Sequence, residues 1–178
     1  MSKTIIIIAV VLGAIVIAGV ILSIVAPKRI TITCSEFIEA PKELVYDQIR
    51  FLRNFPSWSP FKAQDPDQKH VISGQDGEIG ATFSWEGVSE KSKGSQSIVA
   101  LIENEKIELN CDITVPFQAN PKFTYTIREQ KNGVEVTQHF DLAMPFPANI
   151  FGMIFGLEKE MSATNQTGLK MLKNECEK

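Results

Sequence analysis

The residues of this chain with the reach for acid–base, nucleophilic or metal chemistry are few and scattered. It has 178 residues, and only two of them are histidines and three are cysteines. His70 falls in a short polar segment, residues 69–73, with the character of an edge strand. His139 alternates outward beside Thr137 and Asp141. Glu86 next to Trp85, and Asp141 next to Phe140, point to the wet face by the same alternation. No histidine has a carboxylate or cysteine partner at a recognised spacing, so neither a catalytic triad nor a metal set can be assembled. Cys34, Cys111 and Cys176 make no CxxC. Their odd number cannot be fully paired within one chain, and they read as small buried hydrophobes. Gly74, Gly77 and Gly80 follow no phosphate-cradling or dinucleotide pattern. Asn165 opens a formal glycosylation acceptor but sits in a predicted helix and is set aside. No cofactor and no metal are implied, and whether the protein is an enzyme is left open.

The remaining chemistry is recognition: an apolar wall with a few polar groups to orient a ligand. The inward faces of the expected strands supply it. Trp58, Phe83, Trp85, Leu109, Tyr125, Gln138 and Phe140 form the candidate wall, with Cys111 on the same face. Met153, Leu157 and Met161 cap it. Gln138 shares its face with Val136 and Phe140, and a buried amide must find a partner or bear a desolvation cost of about 1–3 kcal/mol. A ligand carbonyl or hydroxyl, Tyr125 or water would each serve. Phe83 and Trp85 would equally serve as plain core.

The elements that must hold these residues follow from periodicity. Residues 30–38 alternate and are rich in β-branched side chains, as a strand requires. Pro41 then starts a helix over residues 42–52, with one or two further turns before Trp58. A meander of strands follows over residues 69–73, 79–86, 94–103, 107–114, 123–128 and 134–142. Its turns are marked by Asp76 with Gly77, Asn104 with Glu105, and Asn132 with Gly133. In the last strand Val134, Val136, Gln138, Phe140 and Leu142 point one way. From Ala148 the period changes to that of one long amphipathic helix, including Ile154, Leu157, Met161, Leu169, Leu172 and Cys176. An antiparallel sheet with one apolar face needs a cover, and this helix is the element long enough to provide it. The approach to it, residues 145–155, is unusually apolar and reads either as buried chain or as a lip at the cavity mouth.

The N-terminus differs from all of this. Residues 5–22, IIIIAVVLGAIVIAGVIL, are an unbroken apolar or glycine run. A helix from Thr4 to Ala26 would extend about 34 Å, enough for a hydrocarbon core of about 30 Å. The run is long for a cleaved signal, and Pro27 follows its best small-residue site. The expectation is a single-pass anchor over residues 4–26 in a membrane, with a bacterial inner membrane the setting it fits. Lys3 on one side and Lys28 and Arg29 on the other leave its orientation undecided. The pairs Ala9/Gly13 and Ala14/Ala18 have spacing compatible with a helix dimer. The division is therefore an anchor over residues 1–28 and one folded domain over residues 29–178. With 18 basic residues against 21 acidic ones and a net charge of −3, the chain lacks the basic field that phosphate contacts demand, so a nucleic-acid partner is not expected.

The soluble part resembles the polyketide cyclase/dehydrase and START-like superfamily, often called SRPBCC. The resemblance rests on IEAPKELVYD at residues 38–47, WSP at 58–60, GATFSW at 80–85 with Gly87, Gly94 ahead of the next strand, and the long terminal helix. It runs from about Arg29 to Glu175. It implies an α+β helix-grip fold, in which a curved antiparallel sheet of six to seven strands wraps a long C-terminal helix around a cavity. Relatives bind or transport lipids, steroids and other apolar molecules, and some cyclise or dehydrate polyketides. Ala40 and Pro41 match the family's helix-starting pair, Trp58 and Pro60 its tryptophan–proline corner, and Trp85 a cavity-lining aromatic. Phe55 stands where relatives often carry another tryptophan. The reading that combines anchor and cavity is a membrane-tethered binding protein for a small apolar or lipid-like molecule. The alternatives are a cyclase- or dehydratase-like enzyme and a ligand-free interaction or stress-related scaffold.

Overall fold

The computed structural model describes residues 3–178, apart from the side chains at positions 4, 6, 9, 15, 16, 18 and 90. Helix α1 (Lys3–Val25) precedes strand β1 (Arg29–Ile38), helix α2 (Lys42–Arg50), and two short helices, α3 (Phe55–Trp58) and α4 (Pro60–Gln64). Six strands follow: β2 (Lys69–Ser73), β3 (Thr82–Glu86), β4 (Lys93–Ile102), β5 (Lys106–Val115), β6 (Lys122–Gln130) and β7 (Gly133–Ala143). Helices α5 (Ala148–Ile154) and α6 (Leu157–Cys176) end the chain. The strands form one seven-stranded sheet in the order β1-β7-β6-β5-β4-β3-β2, antiparallel at every pairing. This is the helix-grip architecture.

Alternation decides which face is inner. Along β7, Val134, Val136, Gln138, Phe140 and Leu142 are all buried, while His139 faces out. The inner face meets α2, the short helices and α6 in one core that includes Ile38, Val45, Ile49, Trp58, Phe83, Ile107, Val136 and Leu172. Helix α6 lies along β1: the Cys34 thiol donates to the Ser162 carbonyl at 3.9 Å, and Lys173 Nζ donates to the Phe37 carbonyl at 2.8 Å. Gly168 brings α6 onto α4, since a Cβ there would lie 3.3 Å from the Pro60 ring. Ser59 caps α4, its Oγ accepting from the Lys62 N–H at 3.3 Å, and Pro60 occupies the first turn where no N–H is needed.

Three local expectations are corrected. The terminal helix is two helices, because Gly156 adopts φ +65°, a left-handed conformation that interrupts the ladder between α5 and α6. Strand β3 starts at Thr82 and not at residue 79; Gly80 at φ +91° turns the chain, and Ile79 is exposed. Helix α2 stops at Arg50 because Phe51 is extended, and a 3-10 turn over Leu52–Asn54 follows.

The anchor is corrected too. Helix α1 runs over Lys3–Val25, but among the described residues no helix is long and apolar enough to cross a membrane. Six side chains within it lie outside the described set, so the continuous apolar run read from sequence is not carried by described residues. The spanning helix, the bilayer as partner, the single-pass membrane location and the tethered function are therefore withdrawn. Ala9 and Ala18 of the small-residue pairs lie outside the described residues, and the helix dimer goes no further. What the structure does describe is the join: Ala26 is buried, and Asn149 Nδ2 of α5 donates to its carbonyl at 3.2 Å.

Candidate functional site

Between the concave face of the sheet and α6 lies a cavity of about 270 Å³. Its walls are built in rungs across the strands. Phe83 on β3 stands opposite Gln96 on β4, and Gln96 opposite Cys111 on β5. Phe123 on β6 pairs with Phe140 on β7, their rings 5.2 Å apart, and Tyr125 pairs with Gln138 one inward position further along. The helices close the other side with Trp58, Leu157, Met161, Asn165 and Gly168. Trp58 is held from both ends: its indole N–H donates to the Gln48 carbonyl at 3.2 Å, and its ring meets Tyr125 and Phe55 edge-on at 6.0 and 5.0 Å. Phe61 and Phe117, both exposed, stand where the lining reaches the surface.

Trp85 reaches the cavity because of Gly94, its cross-strand partner on β4. A Cβ on Gly94 would meet the Trp85 ring at 2.7 Å and the Asp112 carbonyl at 2.6 Å. The absent side chain is what lets the indole lie flat across β4, where its N–H donates to Ser92 Oγ at 3.0 Å.

Of the residues singled out in the sequence, the structure brings Trp58, Phe83, Trp85, Tyr125, Gln138, Phe140, Leu157 and Met161 to this cavity. Leu109 does not line it; it is buried in the core opposite Phe123. Met153 faces a different space, an open groove of about 840 Å³ between β1, α5 and the first half of α6. Sequence reasoning passed over Gln96 and Asn165, both buried and both lining the cavity. The signal for Gln96 was its shared parity with Ile98. For Asn165 it was the four-residue steps from Met161 and to Leu169.

The polar groups include amides, a phenol, a thiol and the hydroxyls of Ser59 and Ser92, which are engaged with the Lys62 N–H and the Trp85 indole. Gln138 Nε2 donates to the Tyr125 hydroxyl at 2.7 Å, which leaves Gln138 Oε1 buried without a partner. The Cys111 thiol donates to Gln96 Oε1 at 3.9 Å, leaving Gln96 Nε2 alone. Asn165 Nδ2 is likewise buried and unpartnered. Among the described residues, no acidic or basic side chain and no histidine lines the cavity. Burial pushes the Cys111 thiol up to about 12. Burial also raises the Tyr125 phenol, against the smaller opposing effect of the Gln138 hydrogen bond. Both groups stay neutral across the physiological range. His70 stacks on Phe83 at 5.1 Å from the exposed edge strand, and His139 pairs with Thr33 Oγ1 at 3.1 Å on the outer face. The described residues contain no cluster of three metal-ligating side chains.

No protein-family model matches the chain, and no curated protein matches it in sequence. Solved structures do match in shape. Protein CV1439 from Chromobacterium violaceum aligns with a TM-score of 0.62 at 16% identity, covering 83% of this chain and 97% of that one. The di-domain ARO/CYC protein StfQ from the steffimycin biosynthetic pathway aligns at 0.64 and 12% identity over 84% of this chain, which spans about half of StfQ (51%). The Aha1 protein from Colwellia psychrerythraea, solved as a dimer, aligns at 0.56 and 15% identity over 83% of this chain and 96% of its own. The fold this defines is the helix-grip fold. At these identities the likeness is one of fold, and it assigns no activity to this chain.

Proposed function

We propose that the protein binds a small, mostly apolar molecule between its sheet and α6. The observation that supports this is the cavity of about 270 Å³, walled by aromatic side chains and closed by the helix where a solid core would otherwise sit. Its volume of about 270 Å³ lies just below the roughly 300–1,000 Å³ usual for ligand pockets, so the guest is of one- or two-ring size. Good packing would fill such a space with side chains, because an empty interior forfeits dispersion contacts. A ligand-free scaffold is therefore the weaker reading. The test is native mass spectrometry of the purified full-length chain together with titration of a fluorescent apolar probe. Saturable uptake is expected, and Met161→Trp, which fills the space, should abolish it while Met153→Trp in the open groove leaves it intact. No uptake by the unaltered chain would overturn the proposal.

A second reading, cyclisation or dehydration of an oxygenated substrate, is favoured by one feature. With Gln138 Nε2 donating to the Tyr125 oxygen, the phenol hydrogen is free to point at a substrate carbonyl. Against it stands the lack of any carboxylate or imidazole among the described lining to serve as a base. Turnover of a poly-carbonyl substrate that is lost in Tyr125→Phe, with binding retained, would establish it.

A further inference from the structure

The polar atoms of the cavity specify more than a greasy guest, a specificity that rests on the binding function proposed for the same cavity. Cys34 on β1 stands opposite Gln138 on β7, and the Cys34 thiol donates to the Ser162 carbonyl on α6. That contact holds α6 against the sheet beside Gln138, and Asn165 follows Ser162 by about one helical turn. Gln138 Oε1 and Asn165 Nδ2 are both buried, both unpartnered and both part of the same cavity wall. One is an acceptor and the other a donor. A buried amide atom left without a partner is destabilising, and native interiors rarely leave one so. We infer that this end of the cavity is a seat for a hydroxyl group, and that the preferred ligand is an uncharged apolar alcohol.

A hydroxyl both donates and accepts, so a single oxygen satisfies the two amides together. A ketone can accept from Asn165 or from the free Tyr125 hydroxyl but leaves Gln138 Oε1 without a partner, and a hydrocarbon meets none of them. A carboxylate is disfavoured for a separate reason: the described lining offers no cation, and the charge would lose its water with nothing equivalent in return. Gln96 Nε2 lies on a different rung, opposite Cys111, and would take a second acceptor on a longer guest.

The test uses the full-length chain and four probes on one skeleton: indane, indanol, indanone and indane carboxylate, titrated by calorimetry or by displacement of a fluorescent apolar probe. Indanol should bind about tenfold tighter than indane, the size of one net buried hydrogen bond, with indanone between them. The carboxylate should bind at least about tenfold more weakly than indanol. Gln138→Leu with Asn165→Leu should bring the ratio of indanol to indane affinity, read within the variant, down to about one. Should that pair fail to fold, Gln138→Leu with Tyr125→Phe applies the same test to the rung alone. Equal binding of indane and indanol by the unaltered chain, or an alcohol preference that survives both variants, overturns the hydroxyl seat while the cavity reading stands. Failure of every probe to bind overturns both.

Discussion

Two hollows flank α6, and they differ in kind. One is the more enclosed cavity of about 270 Å³, walled by aromatic rings and amides and reaching the surface at Phe61 and Phe117. The other is the groove of about 840 Å³ outside the helix, lined by Pro27, Ile30, Met144 and Met153 and edged by Glu158 and Lys159. The larger is the less enclosed. Its space is open to solvent, its charged side chains are hydrated, and a molecule lying in it would keep much of its own water. In the smaller space Gln96, Gln138 and Asn165 are buried, so a polar atom left there without a partner bears the full cost of lost hydration. Enclosure and desolvation make a recognition site; volume does not.

The sharpest way to break this contrast is to cut into each wall. Trp58→Ala removes a fully buried side chain that two aromatic neighbours lean on, and should cost about 3–5 kcal/mol by denaturant titration. A loss below about 1 kcal/mol would mean the cavity wall is as pliable as the groove.

Alkaline titration comes next. The Cys111 thiol is raised from 9.0 to about 12. A group with a raised pKa holds its proton in the folded chain after the unfolded chain has released it. Its stabilising contribution is therefore full below pH 9.0 and is lost as the pH rises through about 12. Cys111→Ala should flatten the fall in stability across that window, measured by denaturation midpoints.

Gly94→Ala should cost about 1–3 kcal/mol, because its methyl group collides with the Trp85 ring and the Asp112 carbonyl. Quenching and blue shift of the Trp85 emission would also change as the indole is displaced. Smallest of all, Met153→Ala in the open groove should cost about 1 kcal/mol or less, since Met153 is already half-exposed.

What the sequence made legible was what has a period. The parity of Val134, Val136, Gln138, Phe140 and Leu142 gives β7 its inner face, and β1, β4, β5 and β6 read as plainly. Breaks were harder. Gly156 looks like any helix glycine until its φ of +65° shows that it ends one helix and starts another. Gly80 hides the start of β3 in the same way. Both are backbone choices that side-chain patterning does not record. Within the site, the aromatic wall could be read because large apolar residues on an inward face have nowhere else to go. Gln96 and Asn165 were missed because polar residues are assigned to the wet face by default, and the buried exception declares itself only when the neighbouring strand and helix are in place. Met153 was assigned to the wrong hollow for want of the helix break. The apolar run at residues 5–22 was plain as composition, yet composition did not carry through to a spanning helix among the described residues.

The pairing of the first strand with the last has a further consequence for how the protein is made. Arg29 is matched with Ala143 and Ile38 with Val134, so β1 must wait through the synthesis of five intervening strands before its neighbour exists. The helix that covers the inner face comes later still. During translation the nascent chain thus carries a row of bare aromatic and branched side chains with no lid. A ribosome that stalls between β7 and α6 would release a sticky half-shell, the form of this protein most in need of a chaperone.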